Sequence, residues 1–155
     1  MMRFWAMAAM DASLISVMER NIGVFMVKGN DDYVCIRIEG LALRLRIGLL
    51  DRERNAPQRV LIDMDLYVSP DYLQGVDARS ILDYGIVCDQ ILALQAREHV
   101  DLLETLVQDL LALAFSYETV TAARVRVKKP DIVEQAQSVG IEAVSYTHLT
   151  LPTKA

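Results

Sequence analysis

The sequence predicts an α+β domain in which a four-stranded antiparallel sheet carries two helices on one face. Four segments alternate apolar and polar residues with a period of two, which is typical of strands, and two segments repeat apolar residues at three- and four-residue spacing, which is typical of helices. Along the chain the order is strand, strand, helix, helix, strand, strand. This order favours helices that are segregated to one side of an antiparallel sheet.

The first strand is predicted over residues 34–47 and changes phase in its middle. Apolar side chains fall at even numbers up to Ile38 and at odd numbers from Leu41 onward. A one-residue slip beside a glycine is typical of a β-bulge, because the bulge keeps the same face of the strand directed inward. We therefore predict a bulge at Glu39–Gly40, and we expect residues 51–57 to form a charged loop after the strand.

The second strand is predicted over residues 58–68, directly after this loop. Its inward positions are all apolar: Val60, Ile62, Met64, Leu66 and Val68. Its other face carries Asp63 and Asp65, so we expect an antiparallel hairpin with one face on the core and one face in water.

Two helices and two strands are predicted after the hairpin. The first helix covers residues 81–96, which contain no proline and present a broad apolar face. The second helix is predicted to begin at Asp101, because Asp101 and Glu104 resemble a capping box. Two further strands, residues 120–128 and 139–144, complete the sheet.

These elements confine the predicted domain to residues 34–144. Residues 1–33 lack a clear period and are interpreted as an N-terminal extension, in which Asn21–Val27 is a candidate for one extra strand. Residues 145–155 continue no period and are interpreted as a tail outside the domain. We therefore give no functional weight to His148, which lies in this tail.

Composition and charge exclude several classes of function. Of the 155 residues, 53% are hydrophobic and 24% are charged, values typical of one soluble globular domain. A net charge of −5 repels phosphate backbones, and no apolar run reaches the roughly 18 residues of a membrane-spanning helix. Two cysteines and two histidines are too few and too scattered for a disulfide framework or a zinc site. We expect a cytoplasmic, metal-free protein that binds neither nucleic acid nor membrane and that enlarges its core by oligomerising.

Four polar residues are candidates for chemistry, and each also has an ordinary structural explanation. Glu53 suits a solvated turn, and Tyr84 suits the amphipathic end of a helix. Glu104 suits the capping box described above, and Lys129 suits a surface lysine that extends to water. His99 is likewise expected to be a solvated loop residue. From periodicity alone these ordinary explanations are favoured, and composition names no reaction.

Five segments in a fixed order form a signature that composition and period do not explain. They are IRIEGLALRLRIGLLDRERNAPQ (36–58), ILDYGIV (81–87), DLLETL (101–106), VRVKKP (125–130) and SVGIE (138–142). Together they resemble the dihydroneopterin aldolase family, and the resemblance covers roughly residues 34–144. It implies the tunnelling fold, in which antiparallel sheets of several subunits join into a barrel. A homo-oligomer, tetramer or octamer, whose active sites are shared between neighbouring subunits, is therefore expected.

The resemblance also implies a reaction and the residues that perform it. It implies cleavage of 7,8-dihydroneopterin into 6-hydroxymethyl-7,8-dihydropterin and glycolaldehyde in folate biosynthesis, without a cofactor, a metal or a Schiff base. Carried over position by position, it implies catalytic roles for Lys129, Tyr84 and Glu53. It further implies that Glu104, with Leu103 beside it, binds the pterin substrate, and that Glu53 and Tyr84 also contact this substrate.

Two alternatives stay open. An epimerase of dihydroneopterin or its triphosphate would perform the same retro-aldol step and then re-add glycolaldehyde to invert C2′. The segments IRIEGLALRLRIG and LLETLVQDLL resemble such paralogues, whereas KKPDIVEQAQSVGIE resembles the aldolase branch. The second alternative is a non-catalytic assembly subunit that binds pterins or purines. The chain also departs from the family at Ser145, where relatives usually carry an arginine.

Overall fold

The computed structural model describes residues 32–74 and 81–147, and it contains each strand and helix that the sequence predicts within these ranges. The elements are β1 (Val34–Leu45), α1 (Asp51–Asn55), β2 (Gln58–Val68), α2 (Tyr84–Leu92), α3 (Leu103–Phe115), β3 (Val120–Lys129) and β4 (Val139–Tyr146). Short 3-10 helices follow β2 and α2, at Pro70–Leu73 and Ala93–Ala96. The predicted extension up to residue 31, its candidate strand Asn21–Val27, and His148 lie outside the described residues.

Within the described residues, the sheet has the strand order β1-β2-β3-β4, and every neighbouring pair is antiparallel. The predicted bulge in β1 is confirmed. Ile38 and Leu41 pair with residues of β2 that are only two apart, so Glu39 and Gly40 together face Asp63. Gly40 takes a φ of 65°, which its lack of a β-carbon permits, and its N–H donates to Asp63 Oδ1 at 2.7 Å.

One face of the sheet packs against the helices and forms the core. The helix α2 lies against β1, and α3 lies against β3 and β4. Both layers contribute fully buried side chains: Leu43, Ile47, Val60, Ile62, Met64, Leu66, Val87, Ile91, Leu106 and Leu110. Both predicted helices therefore lie on one face of the sheet, where their apolar stripes meet its inward positions. Among the described helices, none has the length and hydropathy needed to cross a bilayer.

The helical segments differ from the prediction at α1 and at the start of α2, and α3 begins at Leu103 rather than at Asp101. Residues 51–55, expected in a loop, form the one-turn helix α1, because the carboxylate of Glu53 turns back to the N–H of Leu50 and satisfies a donor at the helix start. The helix α2 begins at Tyr84, three residues later than predicted. It begins there because Asp83 caps it by accepting hydrogen bonds from two N–H groups of the first turn.

The second face of the sheet is not the water-exposed surface that the alternation predicts. Asp63 and Asp65 lie on the central strand β2 and are buried, with 6% and 1% of their surface exposed. Long basic side chains of the flanking strands cover them, since Arg37 donates to Asp65 at 2.7 Å and Lys128 contacts Asp63 at 2.5 Å. Burial opposes ionisation of Asp63, but hydrogen bonds from Lys128 and from the N–H of Gly40 lower its pKa.

Candidate active site

Polar residues occupy three positions at one end of the apolar core. Gln58 begins β2 in phase with the inward-facing Val60, and Lys129 ends β3 in phase with the inward-facing Val127. The alternation that buries the valines therefore also directs these two polar side chains inward. Glu53 of α1 meets them there. Glu53 and Lys129 are only 7% and 8% exposed, so the solvated turn and the surface lysine favoured by periodicity are wrong.

Four groups form a closed cycle of hydrogen bonds, which we call the hydrogen-bond ring. They are the Lys129 ammonium, the Glu53 carboxylate, the Gln58 side-chain amide and the Ile47 carbonyl. Lys129 Nζ donates to Glu53 Oε1 at 2.8 Å and to Ile47 O at 2.9 Å. Gln58 Nε2 donates to the same two oxygens, at 3.2 Å and 2.6 Å respectively. Each donor thus bridges both acceptors, and each acceptor receives both donors.

The carboxylate of Glu53 is stabilised in its ionised form. Burial opposes ionisation, but hydrogen bonds from Lys129, from Gln58 and from the N–H of Leu50 outweigh burial and lower the pKa of Glu53 to about 2. The carboxylate therefore stays charged throughout the neutral range. A buried carboxylate beside an amine is an arrangement suited to acid–base chemistry.

A glycine makes room for this carboxylate. Gly48 follows Ile47 in the chain and has a φ of 130°, a conformation that residues with a side chain rarely adopt. A β-carbon at this position would also collide with the carboxylate of Glu53. The site therefore requires glycine at position 48 for both backbone conformation and space.

The segment before α3 joins this corner of the fold. Val100 exchanges backbone hydrogen bonds of 2.9 and 3.0 Å with the chain around Gly48. A ring nitrogen of His99 lies 3.0 Å from the carbonyl oxygen of Gly48 and the ring is half-buried, so the solvated position expected for His99 is wrong. Arg54 of α1 donates to Asp101 at 2.8 Å. The start of α3 is thereby held next to α1 and the end of β1.

The capping box predicted for α3 is wrong. Leu102 occupies the N-cap position without a side-chain hydrogen bond, and Asp101 is engaged by Arg54 instead. Glu104 lies in the first turn of α3 with an exposed side chain, and Leu103 beside it packs partly against the core. Without the capping role, the carboxylate of Glu104 is accessible to a ligand at the positive end of the helix.

Tyr84, the remaining predicted site residue, lies towards the other end of the sheet. Its side chain is 67% exposed and lines a groove of about 420 Å³ together with Arg37 of β1. Arg37 pairs with Asp65, which is seven residues along β2 from Gln58. Seven residues of strand span roughly 20 Å. One chain therefore brings Glu53 and Lys129 together but does not bring Tyr84 to them.

An open cleft of about 210 Å³ gives access to Glu53. Its lining residues are Arg52, Glu53, Ala56, Pro57, Gln58, Asp131 and Ile132. Arg59 donates two hydrogen bonds to Asp131, at 3.1 and 3.2 Å. Within residues 32–74 and 81–147, no three His, Cys, Asp or Glu side chains are grouped closely enough to hold a metal ion. A ligand that enters this cleft would meet the Glu53 and Gln58 members of the hydrogen-bond ring.

Comparison with known families identifies the one to which these features belong. The sequence model described as dihydroneopterin aldolase (FolB) matches residues 36–144, which contain α1, β2, α2, α3 and β3 and most of β1 and β4. The chain belongs to the dihydroneopterin aldolase family. The resemblance carried by the five sequence segments is therefore confirmed.

Relatives of this dihydroneopterin aldolase family member carry two different names. Over 107 residues the chain is 33% identical to the dihydroneopterin triphosphate 2′-epimerase of Pseudomonas aeruginosa. The match covers 68% of this chain and 87% of that relative. Over 97 residues the chain is 30% identical to the dihydroneopterin aldolase of Streptomyces coelicolor. The match covers 62% of this chain and 82% of that relative. Both relatives match the chain over most of their own length.

Solved structures in the dihydroneopterin aldolase family share the fold. The dihydroneopterin aldolase of Burkholderia thailendensis, crystallised with guanine, has a TM-score of 0.65 and 27% identity over 76% of this chain and 93% of that one. The E. coli dihydroneopterin aldolase, crystallised with neopterin, has a TM-score of 0.66 and 19% identity. The match covers 72% of this chain and 98% of the E. coli chain. At that lower identity, the E. coli structure supports the fold alone. The predicted antiparallel sheet with helices thus has experimental counterparts.

Three parts of the site are not predicted by the sequence analysis: the Gln58 amide, the Ile47 carbonyl and the space at Gly48. A signal for Gln58 exists, because this residue continues the inward phase of Val60 at the start of β2. The carbonyl of Ile47 has no sequence signal, because every residue has a carbonyl. The sequence shows a glycine at position 48, but the reason for it cannot be predicted without the position of the Glu53 carboxylate.

Proposed function

We propose that this chain is an aldolase that cleaves 7,8-dihydroneopterin into 6-hydroxymethyl-7,8-dihydropterin and glycolaldehyde, a step of folate biosynthesis. The observation that carries the proposal is the buried Glu53–Lys129 ion pair, 2.8 Å apart, beside an open cleft in a member of this family. A buried carboxyl group whose pKa is lowered, beside a cleft, is typical of sites of acid–base catalysis.

The substrate supplies its own electron sink. The 2′-hydroxyl loses its proton and becomes the carbonyl of glycolaldehyde as the C1′–C2′ bond breaks. The electrons of that bond pass to C1′ and through C6 to N5 of the N5=C6 imine, which takes up a proton. The resulting enol then gains a proton at C1′ while N5 releases its own, which yields the hydroxymethyl product. These steps need neither a metal ion nor a Schiff base.

Lys129 is the proposed proton shuttle. Two of its three N–H groups are held by Glu53 and Ile47, which leaves one for the substrate or for an ordered water near N5. Glu53 positions the side-chain hydroxyls of the substrate, and Tyr84 exchanges the proton at the exocyclic carbon. Lys129 lies in an ion pair, whereas a Schiff base requires a neutral amine, and this supports direct proton transfer.

Glu104 is the proposed anchor of the pterin ring. A carboxylate can accept two parallel hydrogen bonds from the 2-amino and N3–H groups of the pterin. Glu104 is exposed in the first turn of α3, where the helix dipole favours negative charge, and Leu103 beside it offers apolar contact to the ring. The segment from His99 to Asp101 holds this turn near α1, which supports a half-site shared by Glu104 and Lys129.

A neighbouring subunit would supply Tyr84 to each site. Because Tyr84 and Lys129 lie towards opposite ends of the sheet, one chain carries two half-sites. In a tetramer or octamer whose sheets join into a barrel, the Tyr84 groove of one subunit would face the cleft beside Glu53 of the next. The strands β1 and β4 bound the described sheet, and open strand edges are surfaces at which sheets can join. The cytoplasmic location expected from the sequence belongs to the same proposal.

Incubation of the purified protein with 7,8-dihydroneopterin tests this function. Chromatography should show glycolaldehyde and 6-hydroxymethyl-7,8-dihydropterin in equal amounts, at a rate far above that of the Lys129→Ala protein. If the protein binds pterins but releases neither product and forms no epimer, the aldolase proposal is rejected and a non-catalytic pterin- or purine-binding subunit takes its place.

An epimerase is the second candidate, and the 33% identity to the Pseudomonas aeruginosa epimerase favours it. An epimerase would share every step up to bond cleavage and would then re-add glycolaldehyde to the opposite face of C2′. The same incubation separates the two activities, because an epimerase forms monapterin without net release of glycolaldehyde. A parallel incubation with the triphosphate tests whether the phosphorylated compound is preferred.

A further inference from the structure

Gln58 belongs to the hydrogen-bond ring but has no step in the proposed reaction. We propose that Gln58 is a positioning residue, which holds the carboxylate of Glu53 and the carbonyl of Ile47 at the separation that the ammonium of Lys129 bridges. The inference rests on the proposed function, because that function makes Lys129 the group that must be aimed at the substrate.

The count of donors and acceptors supports this role. A glutamine amide has two N–H groups, and the Gln58 nitrogen bonds both oxygens that also accept from Lys129. The Lys129 ammonium has three N–H groups and directs two of them to the same pair of oxygens. The direction of the third N–H is then fixed by geometry. Gln58 therefore acts on the reaction through the orientation of Lys129, without contact with the reacting atoms.

The backbone makes Gln58 a firm support for the ring. Gln58 is the first residue of β2, pairs with Leu45 of β1, and follows Pro57, whose ring fixes one backbone dihedral. Glu53, by contrast, comes from a one-turn helix, and so short a helix depends on tertiary contacts for its order. The amide anchored in the sheet thus locates the carboxylate that arrives from the less constrained element.

A neutral donor suits this position better than a charged one. A second ammonium in place of the amide would compete with Lys129 for the charge of Glu53. A carboxylate would repel Glu53 and would leave the Ile47 carbonyl without a donor on that side. The glutamine amide satisfies both oxygens without changing the charge of the ring.

Gln58→Met and Gln58→Glu test the role, with Gln108→Met on the exposed face of α3 as the matched control. Methionine keeps the length of the side chain and removes both donors, whereas glutamate keeps the shape and replaces the donors with an acceptor. We expect kcat to fall about 10- to 100-fold in both Gln58 variants with KM nearly unchanged, because misplacement of a catalytic group slows the chemical step more than it weakens binding. The acid limb of the pH–rate profile should also move to higher pH, and Gln108→Met should match the wild type.

A measurement without turnover separates this inference from the proposed function. Carboxyl NMR should place the Glu53 titration near pH 2 in the wild type and clearly higher in Gln58→Met. In the wild type, the side-chain amide signals of Gln58 should shift as Glu53 titrates, which tests the contact even if both variants fail to fold. If the wild type gives these NMR results but has no activity, the aldolase proposal is rejected, whereas the contact between Gln58 and Glu53 is confirmed. If kcat is unchanged in the Gln58 variants, or if the Gln58 amide signals do not shift as Glu53 titrates, the positioning role is overturned.

Discussion

Glu53 and Lys129 form a buried ion pair that stability alone does not explain. Replacement of a buried ion pair by apolar residues is often neutral or stabilising, whereas removal of one partner costs about 3–5 kcal/mol of unfolding free energy. A buried ion pair is therefore weak evidence for a role in stability. The retention of a carboxylate and an ammonium there is consistent with the proton transfer proposed for them.

Lys129→Ala is expected to remove the proton shuttle. Turnover of dihydroneopterin should fall by about 10²–10⁴-fold, the usual contribution of a general acid–base group. Pterin affinity, measured by fluorescence titration, should be retained, because the proposed anchor is Glu104. Lys128→Ala is the control, since Lys128 is the adjacent lysine and points to the other face of the sheet. Unchanged turnover in folded Lys129→Ala protein would remove Lys129 from the mechanism.

Glu104→Ala is expected to act on binding rather than on proton transfer. Loss of the carboxylate removes the two hydrogen bonds proposed for the pterin, so titration should detect no pterin binding. The exposed side chain of Glu104 predicts little change in the melting temperature. Glu118→Ala, which removes another exposed glutamate, should bind as the wild type does. Retained affinity in Glu104→Ala would show that the pterin is anchored elsewhere.

The site residues differ in how far the sequence reveals them. Lys129 follows the alternation of Val125 and Val127, so β3 itself places Lys129 inward, and the expectation of a surface lysine overlooks this phase. The burial of Glu53 could not be predicted in this way, because it depends on the fold of α1 and on contacts with residues distant in sequence. The spacing of Asp101 and Glu104 gave a false cap because Arg54, from another element, engages Asp101.

At the scale of elements, the strands are predicted better than the helix ends. Period-two alternation reports which face is buried, and a phase slip beside Gly40 was sufficient to locate the bulge. Helix starts depend on which side chain reaches the first N–H groups, and Asp83 performs this for α2 while no side chain performs it for α3. Alternation does not predict the burial of Asp63 and Asp65, because it does not show that arginines and lysines of the neighbouring strands cover them.

The ion pair between Glu53 of α1 and Lys129 of β3 is expected to be lost in acid. The pKa of Glu53 is lowered from 4.5 to about 2 in the folded chain, so its contribution to stability is complete above about pH 4.5 and is lost as the pH falls through about 2. Urea unfolding at several pH values should show this slope, and Glu53→Gln should reduce it. Asp63, whose pKa is also lowered, would retain part of the slope. Glu134→Gln, at an exposed position, should leave the slope unchanged, and an unaltered slope in Glu53→Gln would contradict the prediction.

At the scale of the whole molecule, the separation of Tyr84 from Lys129 predicts complementation between subunits. Tyr84→Ala and Lys129→Ala proteins should each have little activity, because each lacks one half of every site. Unfolding the two variants together and refolding them should produce mixed oligomers in which some sites combine an intact Lys129 with an intact Tyr84. Activity should then rise well above that of either variant refolded alone. No gain from mixed oligomers, verified by mass spectrometry, would contradict shared sites.

Gly48 has a consequence for how this chain can vary. Every missense change of a glycine codon adds at least a β-carbon, and at this position that first carbon already occupies the volume of a carboxylate oxygen. Leu49 and Leu50, immediately after it, are exposed and have room to change. Random mutagenesis with selection for growth without supplied folate should therefore recover only synonymous changes at codon 48, whereas residues 49 and 50 should vary. The most restricted position in this stretch is then the one without a side chain.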